Sequence, residues 1–190
     1  MSTDQPKFNN KVKEFRKFTF WRDLLIYFFA FSWIGHWLEM GWLTLVRFFT
    51  GRETSFGIFN NWLEPYYVYG FAVVIIILIF TVLPMPKKPF KKISAHFGVN
   101  TILCAVVEYI AGVIIVWRFG HRFWDYSDRF MNLHGHIYLE HAIYFGILAT
   151  TFSFWIYPFL REKFKRVPEY IRNILVILLS IGAISFAIFG

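Results

Sequence analysis

The chain has 190 residues, of which 57% are hydrophobic and 23% aromatic, and a soluble domain of this length rarely exceeds about half apolar. Its single cysteine, Cys104, excludes a disulfide framework and a cysteine metal cluster. The formal charge of +8 does not point to nucleic acid, because the basic residues cluster between apolar runs, as they do in a membrane protein.

Residues 1–20 read as a basic cytoplasmic segment, in which residues 4–17 are either a short surface helix or irregular, and residues 21–190 as one transmembrane helical domain. A span needs about 20 largely apolar residues to cross a core of roughly 30 Å. The first candidate, 24–46, follows the basic segment without a small-residue cleavage site, so it is expected to be a retained span rather than a signal peptide. The second, 66–83, ends at Pro84-Met85-Pro86, since proline cannot continue the helical hydrogen-bond ladder. The third covers 93–117, and the loop after it places Asp125, Ser127 and Asp128 at turn spacing, with Asn132 beyond. That loop is either a set of turns and caps or a lid with Asp125 facing inward. Trp117 and Trp124 fit an interfacial aromatic belt. The fourth candidate is 136–160 and the fifth 170–189; the last is apolar all round and is expected at the lipid-facing periphery. The fold expectation is therefore an all-α polytopic membrane bundle of about five transmembrane helices.

Fifteen Lys and Arg residues lie before the first span, in the second and fourth connections and at Arg172; five, Arg47, Arg52, Arg118, Arg122 and Arg129, lie on the other side. This bias puts the N-terminus in the cytoplasm and the C-terminus outside. It suits a bacterial cytoplasmic membrane, whose anionic headgroups the basic clusters would touch.

With that topology, a rise of about 1.5 Å per helical residue places Glu39 roughly 10 Å, Glu108 roughly 14 Å and Glu140 roughly 6 Å below the outer surface. Tyr69 opens the second span at the same outer level. An ionisable side chain at such depth is expensive and a functional candidate by default. Three carboxylates at one level, interleaved with His36, His136 and His141, would repel one another unless a cation, a proton or nearby bases compensate. The alternative is that each makes a separate structural hydrogen bond. No cofactor is required by the sequence, but imidazole with carboxylate permits a metal ion, with His136, Glu140, His36 and Glu39 as candidate ligands. His136, Glu140 and His141 are near neighbours, with positions 136 and 140 on one helical face and 141 rotated about 100° away from 140. There is no phosphate-binding loop, hence no nucleotide hydrolysis by that route.

Several of these residues also carry a family resemblance. Phe31-Ser32-Trp33-Ile34-Gly35-His36-Trp37-Leu38-Glu39, Val68-Tyr69-Gly70, Glu108-Tyr109-Ile110-Ala111-Gly112, Trp124-Asp125-Tyr126-Ser127 and Asn132-Leu133-His134-Gly135-His136-Ile137 resemble, in order, conserved blocks of the CmpB-type family of ABC-transporter type IV permease-like membrane proteins. His36 stands where that pattern usually has an aromatic and His136 where it has arginine, which makes the neighbourhood of the glutamates more sensitive to pH. The resemblance implies a small transport or channel-like subunit, with Glu39, Tyr69, Glu108, Asp125 and Asn132 inside the matching blocks; the expected pocket adds His36 and His136, where the pattern departs, and Glu140, which lies outside the blocks and is a candidate from the residues alone. Its partners would be the bilayer, further copies or another membrane subunit and, for a true ABC permease, a separate ATPase. Two other readings remain open on the residues alone: a membrane-embedded enzyme acting on a lipid or lipid-linked substrate, and a non-catalytic scaffold.

Overall fold

The computed structural model describes residues 15–51, 64–83, 86 and 88–189, and among these each expected span holds a helix. The helices are α1 (Phe18–Thr50), α2 (Tyr67–Val82), α3 (Pro89–Phe119), α4 (Leu139–Lys165) and α5 (Glu169–Phe189). Three of them, α3, α4 and α5, are long and apolar enough to cross a membrane. Helix α2 is apolar but shorter, at 16 residues, and α1, at 33 residues, carries four tryptophans along its length. The proposed helix over residues 4–17 lies mainly, and Arg52, Pro84-Met85 and Lys87 lie wholly, outside the described residues.

Local chemistry sets the helix ends. Pro89 occupies the first turn of α3, where a missing N–H costs nothing. Gly51 and Gly120 close α1 and α3 in the left-handed conformation, their N–H groups donating to the Arg47 and Val116 carbonyls. The start of α4 departs from expectation. It begins at Leu139, not His136, because Ile137–Tyr138 pair antiparallel with Asn132–Leu133 in a short hairpin. His134 and Gly135 turn that hairpin with φ of 52° and 71°, and the His136 N–H closes it on the Leu133 carbonyl at 3.0 Å. His136 and Glu140 therefore do not share a helical face.

The chain divides into two compact units, one of residues 15–73 with 168–189 and the other of residues 74–167. In the first, α1 packs on α5 and on the start of α2, burying Leu24, Ile26 and Tyr27. Arg22, whose side chain is 1% exposed, is held by Asp23, Glu169 and Asn173, and Arg172 reaches the other oxygen of Asp23 at 2.8 Å. These contacts set the beginnings of α1 and α5 side by side. As expected of a peripheral helix, α5 turns Ile174, Ile177, Leu178, Ile181 and Ile184 outward and buries Ala183.

In the second unit α3 packs along α4. Gly146 admits Thr101, whose hydroxyl a Cβ would overlap. Helix α4 widens into a π turn over Phe152–Ile156 before resuming its α geometry. Ile102, Val106, Ile110, Ile114 and Trp117 cover the outward face of α3, a continuous apolar surface of the kind that faces lipid.

Candidate functional site

Among the described residues, each unit sets a carboxylate within its helices. In the first unit, Glu39 is half-buried on α1, and the Tyr69 hydroxyl donates to its Oε2 at 2.7 Å. The close approach of α2 makes this contact. Gly35 lies under the Tyr69 ring, where a Cβ would overlap it, and Gly70 faces the Ser32 hydroxyl and the Phe28 carbonyl with no room for a side chain. Ser32 is fully buried and donates its hydroxyl to that carbonyl at 2.8 Å, while the Tyr66 N–H donates to the Ser32 carbonyl at 3.0 Å. Ser32, Gly35, Glu39, Tyr69 and Gly70 are thus one contact set. His36 is buried one turn below Glu39 with its ring edge-on to Tyr66 at 4.4 Å, and its Nδ1 has no hydrogen-bond partner among the described residues.

In the second unit, Glu108 is 7% exposed on α3, and its Oε1 lies 3.4 Å from His141 Nδ1 on α4. One turn along, Gly112 accommodates the His136 ring, which a Cβ would overlap. Tyr109 meets His136 edge-on at 5.5 Å, and its hydroxyl pairs with His134 Nδ1 at 2.8 Å. The motif Glu108-Tyr109-x-x-Gly112 is therefore the surface on which the hairpin sits. Glu140 goes elsewhere: it is exposed and accepts from the Tyr144 hydroxyl at 2.7 Å.

The loop before α4 is held by its own side chains. Asp125 Oδ1 accepts from Arg122 Nη1 at 2.7 Å and from the Ser127 N–H and hydroxyl at 3.0 and 2.6 Å. The Ser127 hydroxyl and N–H, with Arg122, hold the Asp125 carboxyl below its usual range. Asn132 donates to the Ser127 and Arg129 carbonyls and accepts from the Gly135 N–H, so it staples the loop rather than capping α4. The Trp124 indole donates to the His136 carbonyl at 2.8 Å. Of the two readings of this loop, the observed contacts of Asp125 are those of the turn. Among the described residues no three His, Cys, Asp or Glu side chains come together as a metal site.

A family model described as "Putative ABC-transporter type IV" matches residues 26–188. The chain belongs to this family. Neither a curated protein nor a solved structure matches it. The match and the long apolar helices make it an integral membrane protein related to transport.

Sequence reasoning paired His136 with Glu140 and left His141 aside. The α4 start at Leu139 reverses that choice, turning His141 toward Glu108 and Glu140 outward. The Arg22 cluster was also missed; the available signal was an Arg-Asp pair at one helix start with Glu169 and Arg172 at another.

Proposed function

We propose that the protein is a small transport or channel-like subunit in which Glu39 and Glu108 bind a cation, a proton or a polar substrate group within the membrane. The observation that carries this reading is Glu108, a carboxylate 7% exposed on a membrane-length helix with a histidine 3.4 Å away. Such groups inside spans mark substrate and ion paths and proton relays. Glu39 with the Tyr69 hydroxyl is a second polar station, with His36 beside it; His136, Asn132 and Asp125 shape the loop next to Glu108, and Glu140 stands at the start of α4.

The finer topology belongs to the same proposal. All five helices span, the N-terminus is cytoplasmic, and the membrane is the bacterial cytoplasmic one. The side-by-side starts of α1 and α5 support it, since four crossings return the chain to the side on which α1 began. A bundle of five helices is small for a pore, so further copies or another membrane subunit complete it, with a separate ATPase if it works as an ABC permease.

Purified protein in liposomes, loaded with ion and solute gradients, tests the reading. Movement by the wild type that falls at least about tenfold in Glu108→Gln supports it. No movement under any gradient, together with no ATPase co-purifying from native membranes, overturns it.

A further inference from the structure

Five residues of α3 are buried, His96, Asn100, Cys104, Glu108 and Gly112, each four positions after the last. Four residues advance an α-helix by about 6 Å and bring the next side chain nearly back onto the same face. The spacing therefore draws one stripe along most of a membrane-length helix, and four of its five members are polar or ionisable. Its contacts lie mainly on α4. Asn100, with no exposed surface, donates its amide to the Thr150 and Ser153 hydroxyls at 3.2 and 3.3 Å; Glu108 faces His141; the His136 ring lies over Gly112.

The end of the stripe nearest the Lys-rich turn departs furthest from ordinary helix packing. His96, 6% exposed, is stacked on Phe80 at 3.9 Å with Phe154 at 4.4 Å, and Lys92 lies 5.4 Å from the Phe154 ring. Among the described residues neither nitrogen of His96 has a hydrogen-bond partner, and neither has Asn100 Oδ1. Buried polar atoms are nearly always satisfied by protein or by ordered water. The Thr150 and Ser153 hydroxyls beside Asn100 give a water at its Oδ1 the further polar partners that a buried water needs. At the same level α4 takes its π turn, which includes Ser153; single π turns inside α-helices recur at functional positions.

We propose that this face of α3 against α4 is a hydrated proton relay joining His96 to Glu108 and His141. It rests on the transport reading above and names the proton as the species handled at Glu108. A proton taken up on one nitrogen of His96 leaves from the other, and water beside Asn100 and Cys104 carries it onward. The Glu108 carboxylate accepts it as a carboxylic acid and passes it to His141 Nδ1. Only N–H and O–H bonds form and break, so no oxidant or co-reactant is needed. Thr150 and Ser153 hold Asn100 so that its Oδ1 remains an acceptor for that water.

The protein carries its own reporter, because its single cysteine sits in the middle of the stripe. Full-length protein in phosphatidylcholine vesicles containing phosphatidylglycerol is transferred to D2O, and the Cys104 S–H stretch is followed by infrared spectroscopy, with Cys104→Ser identifying the band. The expected result is S–H to S–D exchange at least about tenfold faster than that of the slowest backbone amides, and slower in Asn100→Leu. Thr150→Val, which removes one partner of Asn100, serves if Asn100→Leu does not fold. A band that persists as long as the core amides, or that exchanges equally fast in a folded variant, overturns the relay. The same vesicles with an entrapped pH dye and a potassium diffusion potential supply the second readout, in which His96→Phe is expected to cut proton flux at least about tenfold. Wild-type vesicles without proton flux overturn the relay even if another solute moves. A dry thiol in vesicles that do transport a solute overturns the relay and leaves the broader transport reading standing.

Discussion

Gly112 lies where an added Cβ would overlap the His136 ring, whereas Gly98 on the same helix has open space around it. Gly112→Ala is expected to lower stability by about 1–3 kcal/mol through overpacking, and Gly98→Ala to raise it by up to about 1 kcal/mol because alanine is the better helix former. Melting curves of the two variants in one detergent check the contrast, and shifts of the same sign would contradict it. At Glu39 the bond from Tyr69 gives a second expectation. Glu39→Gln and Tyr69→Phe should be non-additive by about 0.5–3 kcal/mol in a double-mutant cycle, as expected for residues in direct contact; additive losses would mean that the contact is incidental. Glu39 was legible as an anomaly in an apolar run, whereas Gly35, Gly70 and Gly112 were marked only as members of the family blocks, and Tyr69 by its block and its outer level. His141 was not legible beside Glu140. Adjacent helical positions point about 100° apart, so the choice between them depends on where the helix starts. The hairpin that sets that start has His134 rather than asparagine or aspartate before its glycine, and so lacks the strongest hairpin signal.

Two titrating groups outside the spans stabilise the hairpin and the loop before it. Burial holds the His136 imidazole below its usual 6.5, so the unfolded loop binds the proton more readily and stability falls as pH drops below that value. The Asp125 carboxyl sits below its usual 3.8; its contribution is complete above that value and is lost as pH falls through the lowered one. Acidification is therefore expected to loosen the loop in two stages, one beginning near pH 6.5 and one below about pH 4. Hydrogen exchange at the Tyr126 amide, which donates to the Gly135 carbonyl at 2.9 Å, reports both. His136→Gln should remove the upper stage and Asp125→Asn the lower, and a profile unchanged by either would contradict the assignment. The helices themselves were legible from apolar length alone. The π turn of α4 was not, although Pro158 marks its place: a proline inside the helix has no N–H for the Phe154 carbonyl, which lies within Phe152–Ile156.

For the whole molecule, the outward rows of α3 and α5 carry mostly isoleucine, leucine and valine, so the protein depends on lipid or detergent to cover them. Reporter fusions at the two ends are expected to report opposite sides of the membrane, with the amino end inside. Both ends on one side would exclude an odd number of spans. Arg22→Ala should destabilise the first unit by about 1–3 kcal/mol, through loss of the hydrogen bonds that the buried guanidinium gives Asp23, Glu169 and Asn173, while Asp23 keeps Arg172; urea or thermal unfolding measures it.

The same arginine has a consequence for the order of synthesis. Glu169 and Asn173, which complete its coordination, emerge from the ribosome about 150 residues after it, and until then Asp23 is the one member of that set present. Synthesis proceeds at about 5–20 residues per second, so α1 waits roughly 7 to 30 seconds before α5 arrives to lock its amino end. A chain stopped after Val167 is expected to insert its earlier helices and yet be cleared by proteases faster than the full-length protein, in pulse-chase labelling, because the first helix made is secured by the last.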